Sequence, residues 1–214
     1  PVTKVNEEMY ENSLEMFVNE RHVDKKDTIV IFEITMVDLT TDGGIDEKDF
    51  MDRAKLLGSL GETVLITNFK EYYKLVEYFS LYTKKKIGLS MGVNNLVRIF
   101  DPKYYTHLSG GILEAFGKLF FKNMRIYLYP MLNEKDEIIN SDNLKVHPRM
   151  KELYKFLKFN GKVVDLNNYN LKSLKIYSHE VLNQIKENSK GWETLLPKAV
   201  AAKIKKFNLF GYNK

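Results

Sequence analysis

Apolar positions along the chain change their period several times. From Asn6 to Arg21, Met9, Leu14, Met16, Phe17 and Val18 stand among acids and amides, which predicts an amphipathic first helix. Thr28 to Met36 (TIVIFEITM) is a β-branched run without breakers and predicts a buried strand. A helix from Asp46 to Leu60 follows, with Phe50, Met51, Ala54, Leu57 and Leu60 near helical spacing, Asp46 as its cap and Gly61 as its stop. The unit repeats as a strand Thr63 to Phe69 and a helix Lys70 to Thr83, then as a short strand Lys86 to Met91. Helical pattern covers Asn94 to Phe100, halts at Asp101-Pro102 and resumes from Gly111 to Phe121. A fourth strand, Arg125 to Leu132, ends in a polar turn at Asn133 to Glu137. Beyond Leu144 the pattern is mostly helical: Pro148 to Phe159, Leu171 to Glu187 and Pro197 to Phe207, with a short strand at Val163 to Leu166.

Strands alternating with helices of this length imply α/β architecture with a parallel sheet, because parallel neighbours need a long crossover. An open doubly wound sheet and part of a β/α barrel both satisfy the pattern. The expected organisation is a sheet region with its N-terminal helix over residues 1–145 and a helical C-terminal region over 146–214, packed on the same domain.

Composition narrows the function classes. Absence of Cys removes disulfides, thiolate metal sites and cysteine nucleophiles together, and suits a reducing compartment, so a cytoplasmic location is expected. No run approaches the roughly 18 apolar residues of a spanning helix. The first residues lack the apolar core of a signal peptide. A net charge of +5 is compatible with a phosphate-bearing partner. The lysines are spread out, apart from Lys84 to Lys86 and Lys198 to Lys206, and no nucleic-acid motif accompanies them. The expected partner is therefore a small molecule, with a missing N-terminal half or a second copy as the other candidate, and with neither membrane nor nucleic acid.

In parallel α/β folds ligands bind at the carboxyl ends of the strands. Strand alternation sets Glu33 and Thr35 on one face with Ile29 and Ile31, and Asn68 with Val64 and Ile66. Glu33, Asp38, Asn68, Ser90, Asn94 and Asn95 all fall at predicted strand ends. In the resulting site Glu33 or Asp38 supplies a carboxylate, Asn68 and Ser90 orient the ligand, and the turn from Gly92 to Asn95 holds an anion. Each polar residue has an alternative role as a hydrogen-bond partner for a neighbouring strand.

Gly88-Leu89-Ser90-Met91-Gly92 matches the G-x-S-x-G nucleophile elbow, with His107, His147 and His179 downstream and Asp101, Asp142 and Asp165 as orienting acids. A serine hydrolase using Ser90 and a plain strand-to-helix turn are the two readings. The loop from Asp38 to Asp49 fits calcium-loop spacing, with oxygens from Asp38, Thr40, Asp42, Asp46 and Asp49 and Gly43 at the turn. A divalent cation, calcium or magnesium, held by Asp38, Asp42 and Asp46 is one reading, and a Gly-Gly turn into the Asp46 cap is the other.

Several stretches together resemble a known family: IVIFEITMVDL, ETVLITNFKEYYKLVEYFSLYTKKKIGLSMGV, FDPKYYTHLSGGILEAFGKLF, HPRMKELYKFL and WETLLPKAVAAKIKKFNLFGY. The resemblance is to the C-terminal half of long bacterial and plant proteins, and it covers Thr28 to Tyr212. Members carry transferred names as different as nicotinate-nucleotide adenylyltransferase and TonB-dependent receptor. A receptor barrel needs many alternating strands, which this chain lacks. The adenylyltransferase name implies a nucleotide-binding transferase with an HxGH-like motif, and none of the four histidines sits in one. The resemblance implies the C-terminal domain of a longer soluble protein; an enzyme or enzyme domain with its ligand at the strand ends is the first reading of the residues, and a non-catalytic interaction domain is the second.

Overall fold

The computed structural model describes residues 1–36, 40–41, 44–45, 47–121 and 123–213. In chain order its helices and strands are α1 (Lys4–Val18), β1 (Phe32–Thr35), β2 (Thr40–Thr41), β3 (Gly44–Ile45), α2 (Glu47–Leu60), β4 (Val64–Thr67), α3 (Tyr72–Tyr82), β5 (Ile87–Gly92), α4 (Val93–Ile99), α5 (Gly111–Leu119), β6 (Met124–Tyr129), β7 (Met131–Leu132), β8 (Ile138–Ile139), α6 (Lys151–Phe159), β9 (Val163–Asp165), α7 (Ser178–Lys186) and α8 (Lys198–Phe207). The fold is α/β with parallel strand-helix units, as the periodicity predicts. The chain forms two compact units: Pro1–Glu11, Asp24–Lys70 and Asn170–Lys214 make the first, and Asn12–Val23 with Glu71–Tyr169 make the second.

In the first unit β1 pairs parallel with β4, Phe32 opposite Val64 and Thr35 opposite Thr67. Helix α2 crosses between them, and Phe50, Ala54 and Leu57 recur at the spacing of one helix face and pack with Ile34, Phe32 and Val64. Another cluster joins Leu56 of α2 to Val181, Ile185, Trp192, Val200 and Ile204 from the C-terminal helices. The strand expected over Thr28 to Met36 is only four residues long and buries only Ile34, while Ile29 is 74 % exposed. Asp24 explains the late start, since its carboxylate accepts from the Lys26 N–H and sets a 3-10 turn at Lys25–Asp27. The buried face is therefore that of Phe32 and Ile34, not that of Ile29 and Ile31. The helix expected from Leu171 begins only at Ser178. Asn170 accepts from the Lys172 N–H through its side chain, and Glu8 of α1 accepts from the Asn170 N–H and the Ser173 hydroxyl, so one local and one distant polar partner replace the first helical turns.

The second unit holds a parallel sheet in the order β5-β6-β9. Central β6 buries Met124, Ile126, Tyr127, Leu128 and Tyr129, the sequence signature of a strand covered on both faces. Helices α3, α4, α5 and α6 pack Val76, Leu96, Phe116 and Leu157 into the same cluster. The strand expected through Leu132 breaks at Pro130, which has no N–H for the ladder, and Met131–Leu132 turns back against Ile138–Ile139. The polar turn between them is fixed by Asn133, whose side-chain oxygen accepts from the Lys135 and Glu137 N–H groups at 2.9 Å.

Candidate functional site

The predicted site residues are divided between the two units. Glu33 and Asn68 belong to the first, whereas Ser90, Gly92, Asn94 and Asn95 belong to the second. Asp38, Asp42 and Asp46, proposed for catalysis and metal binding, lie outside the described residues. The backbone of the calcium-like loop pairs Thr40 with Ile45 and Thr41 with Gly44 as a short hairpin. Asp49, its last candidate ligand, accepts from Arg53 Nε at 2.6 Å within α2. Among the described residues no group of three or more His, Asp or Glu side chains could hold a metal ion.

Glu33 and Thr35 share a face of β1, and in register Leu65 and Thr67 share the matching face of β4. The Thr67 hydroxyl donates to the Glu33 carboxylate, and the Thr35 hydroxyl donates to the Phe69 carbonyl at 3.1 Å. Neighbouring strands thus supply partners for both polar groups. Asn68 is exposed just past the strand.

Ser90 does not occupy an elbow. It lies inside β5, paired in register with Tyr127, and the strand runs on to Gly92 before α4 begins. The first glycine of the motif has a packing reason: a Cβ on Gly88 would stand 2.8 Å from Tyr127 Cε2 and 3.0 Å from Phe17 Cδ2. The Tyr127 hydroxyl donates to Glu20, which also binds Lys86 Nζ at 2.7 Å and Arg125 Nη1 at 2.6 Å. Burial pushes the Glu20 carboxyl up, but hydrogen bonds from Lys86 and Tyr127 and the charges of Arg125 and Lys86 outweigh it and hold the group below 4.5. Burial and the bond to Glu20 push the Tyr127 phenol up, so it stays a donor. The acids expected to orient a histidine are engaged elsewhere. Asp165 accepts from the Ser141 N–H and hydroxyl at 2.9 and 2.5 Å, Asp142 binds Lys158, and Asp101 binds Lys103 at 2.9 Å.

A different part of the second unit gathers binding groups. Helix α4 starts where β5 ends, Asn94 stands three and four residues before Val97 and Arg98 on one of its faces, and Asp101 lies just past its end as the cap of the 3-10 turn Pro102–Tyr105. With Tyr104 and the segment Lys145 to His147 they line an open depression of about 400 Å³. Asn94 lines it; Gly92 and Asn95 do not. The half-buried Tyr104 ring carries the Arg98 guanidinium and the Lys103 ammonium, each 5.0 Å from its centroid. Burial pushes the Asp101 carboxyl up; hydrogen bonds from the Lys103 ammonium and N–H, with the charges of Lys103 and His147, bring it below 3.8. Asp101 thus balances Lys103, leaving Arg98 and Lys145 as the positive charge of the depression. The Arg149 N–H donates to His147 Nδ1 at 3.3 Å.

Another depression, of about 330 Å³ in the first unit, is lined by Asn188, Gly191, Trp192, Glu193 and Tyr212. Its one carboxylate is occupied by Lys205 at 2.6 Å. Of the groups around the larger depression, Arg98 and Lys145 were not singled out by sequence reasoning. The four-residue spacing of Asn94 and Arg98 was the available signal, but Lys145 is remote in sequence and only folding brings it alongside. No protein-family model matches the chain, and no curated protein matches it.

Proposed function

We propose that the chain binds a small phosphate-bearing, nucleotide-like ligand in the depression beside α4, as an enzyme or enzyme domain acting in the cytoplasm. One observation carries this reading: Arg98, Lys145 and a half-buried aromatic ring line one depression of about 400 Å³ next to the carboxyl end of β5. That volume falls in the range of small-molecule sites, about 300–1,000 Å³. The two cations suit phosphate oxygens, and the Asn94 amide offers both a donor and an acceptor to the edge of a base.

A thermal-shift series with nucleoside mono-, di- and triphosphates, sugar phosphates and inorganic phosphate tests the proposal. A ligand at about 100 times its Kd adds about 2.7 kcal/mol, which for a chain of this size raises Tm by roughly 5–10 °C. Arg98→Ala with Lys145→Ala should abolish the shift while leaving the unliganded Tm nearly unchanged. Silence across the series, or a shift that survives the double substitution, overturns it.

A second reading, a non-catalytic interaction domain, is favoured by α3, where Leu81 and Tyr82 are 74 % and 73 % exposed and the Tyr78 ring meets that of Tyr82 at a tilt, centroids 5.1 Å apart. Concentration-dependent sedimentation that Leu81→Ser with Tyr82→Ser abolishes, without any ligand response, would select it.

A further inference from the structure

Helix α6 carries an outer face that its own fold does not use. Tyr154 and Leu157 are buried in the core of the second unit, and Leu153 packs against that core. On the other side Phe156 and Phe159 are 62 % and 92 % exposed, three residues apart and therefore neighbours on one face. Lys155 stands four residues before Phe159 and four after Lys151, and Glu152 stands four before Phe156, so two lysines and one glutamate border the rings along the helix.

Charge is concentrated at the same place. Between residues 145 and 162, Lys145, Arg149, Lys151, Lys155, Lys158 and Lys162 stand against Glu152 alone, a net +5 equal to that of the whole chain, so the other residues sum to zero. Part of this charge is internally committed: Lys155 meets Glu152 at 2.8 Å, Lys158 meets Asp142, and Lys162 donates inward to the Phe121 carbonyl at 2.7 Å. Arg149 and Lys151 make no salt bridge among the described residues.

We propose that the outer face of α6 docks on an anionic phospholipid surface, with Phe156 and Phe159 entering the headgroup boundary and Arg149 and Lys151 facing lipid phosphates. Exposed aromatic rings ask for an apolar environment, and the surrounding cations ask for anions; the interface of an anionic bilayer supplies both in one plane. It also accepts a convex helix face without a matched cavity. An acidic protein would have to provide a pocket for each ring, and a single nucleic-acid strand would need a groove to follow its backbone. The length rule that excludes spanning helices does not govern a nine-residue helix lying on a surface.

Co-sedimentation of the chain with vesicles of phosphatidylcholine alone, and of phosphatidylcholine with phosphatidylserine, tests this. Binding should require phosphatidylserine and weaken as salt rises. Phe156→Ser with Phe159→Ser should reduce it about tenfold or more at unchanged circular dichroism, since both rings are solvent-exposed. Arg149→Glu with Lys151→Glu should reduce it as well. No binding to anionic vesicles at low salt, or binding indifferent to the double Phe substitution, overturns the proposal. Capture of fluorescent oligothymidylate in a Phe156- and Phe159-dependent manner, without vesicle binding, overturns it in favour of nucleic acid.

Discussion

Replacing Gly88 by Ala should destabilise the second unit, while the same change at Gly92, the other glycine of the G-x-S-x-G stretch, should not. The new Cβ at Gly88 meets Tyr127 Cε2 at 2.8 Å and Phe17 Cδ2 at 3.0 Å, so the Tyr127 ring would have to retreat by about 0.6 Å to reach ordinary contact. It has little room to do so. Tyr127 is 1 % exposed, its edge meets Phe17 with ring centroids 6.2 Å apart, and its hydroxyl is tied to Glu20. Overpacking of this kind costs about 1–3 kcal/mol. The reduced entropy of the unfolded chain returns about 0.4–1 kcal/mol, leaving a net loss of about 1–2 kcal/mol. For a chain of this length that lowers Tm by roughly 2–8 °C. Gly92 has φ −81° and ψ 165°, open to any residue, and a Cβ there meets nothing within 4 Å. Gly92 is also the N-cap of α4, where Ala is less favourable than Gly, so Gly92→Ala should be close to neutral, within about 0.5 kcal/mol, as this loss offsets the gain in unfolded-state entropy. Urea unfolding followed by circular dichroism, with the midpoint compared at constant slope, measures both. A Gly88→Ala protein as stable as its parent, or a Gly92→Ala protein less stable than Gly88→Ala, would refute this packing account and return the motif to a turn that needs its last glycine.

Glu20→Gln should cost about 1–3 kcal/mol, below the 3–5 of a fully buried pair because Lys86 and Arg125 remain 29 % and 39 % exposed. Since the folded Glu20 carboxyl lies below its ordinary 4.5, its stabilisation is fully present above that pH and is lost as pH falls through the folded value. The stability difference between parent and Glu20→Gln should therefore shrink in acid; a gap that stays constant from pH 7 down to pH 3 would contradict the ion cluster. Asp52→Ala should cost about 1–3 kcal/mol, because Asp52 Oδ2 accepts at 2.6 Å from the N–H of Phe210, a buried residue held at φ 57°. Chemical denaturation should show Asp52→Asn recovering most of that loss, and equal losses in both variants would point to charge instead of the acceptor.

Much of the fold was legible because it rests on local patterns. The α2 periodicity, with Gly61 at φ 86° after its last turn, and the apolar run of β6 could each be read from a few adjacent residues. The misreadings share a cause. Ile29 and Ile31 look like core by residue type, but burial depends on whether a partner strand reaches them, and β4 pairs only from Val64 to Thr67. Ser90 fits a catalytic pattern, but the pattern does not encode that Tyr127 lies across Gly88.

By itself the sequence determined the alternation of strand and helix, the cysteine-free chemistry and the positions of most element ends, since these follow from backbone preference and side-chain period over short windows. Tertiary structure alone decided which polar groups meet. Glu20 reaches Arg125 across 105 residues, Ser141 reaches Asp165, and Lys145 joins Arg98 beside Tyr104. Such encounters depend on how strand register and helix packing close loops of many residues, and no local window of the chain contains that information.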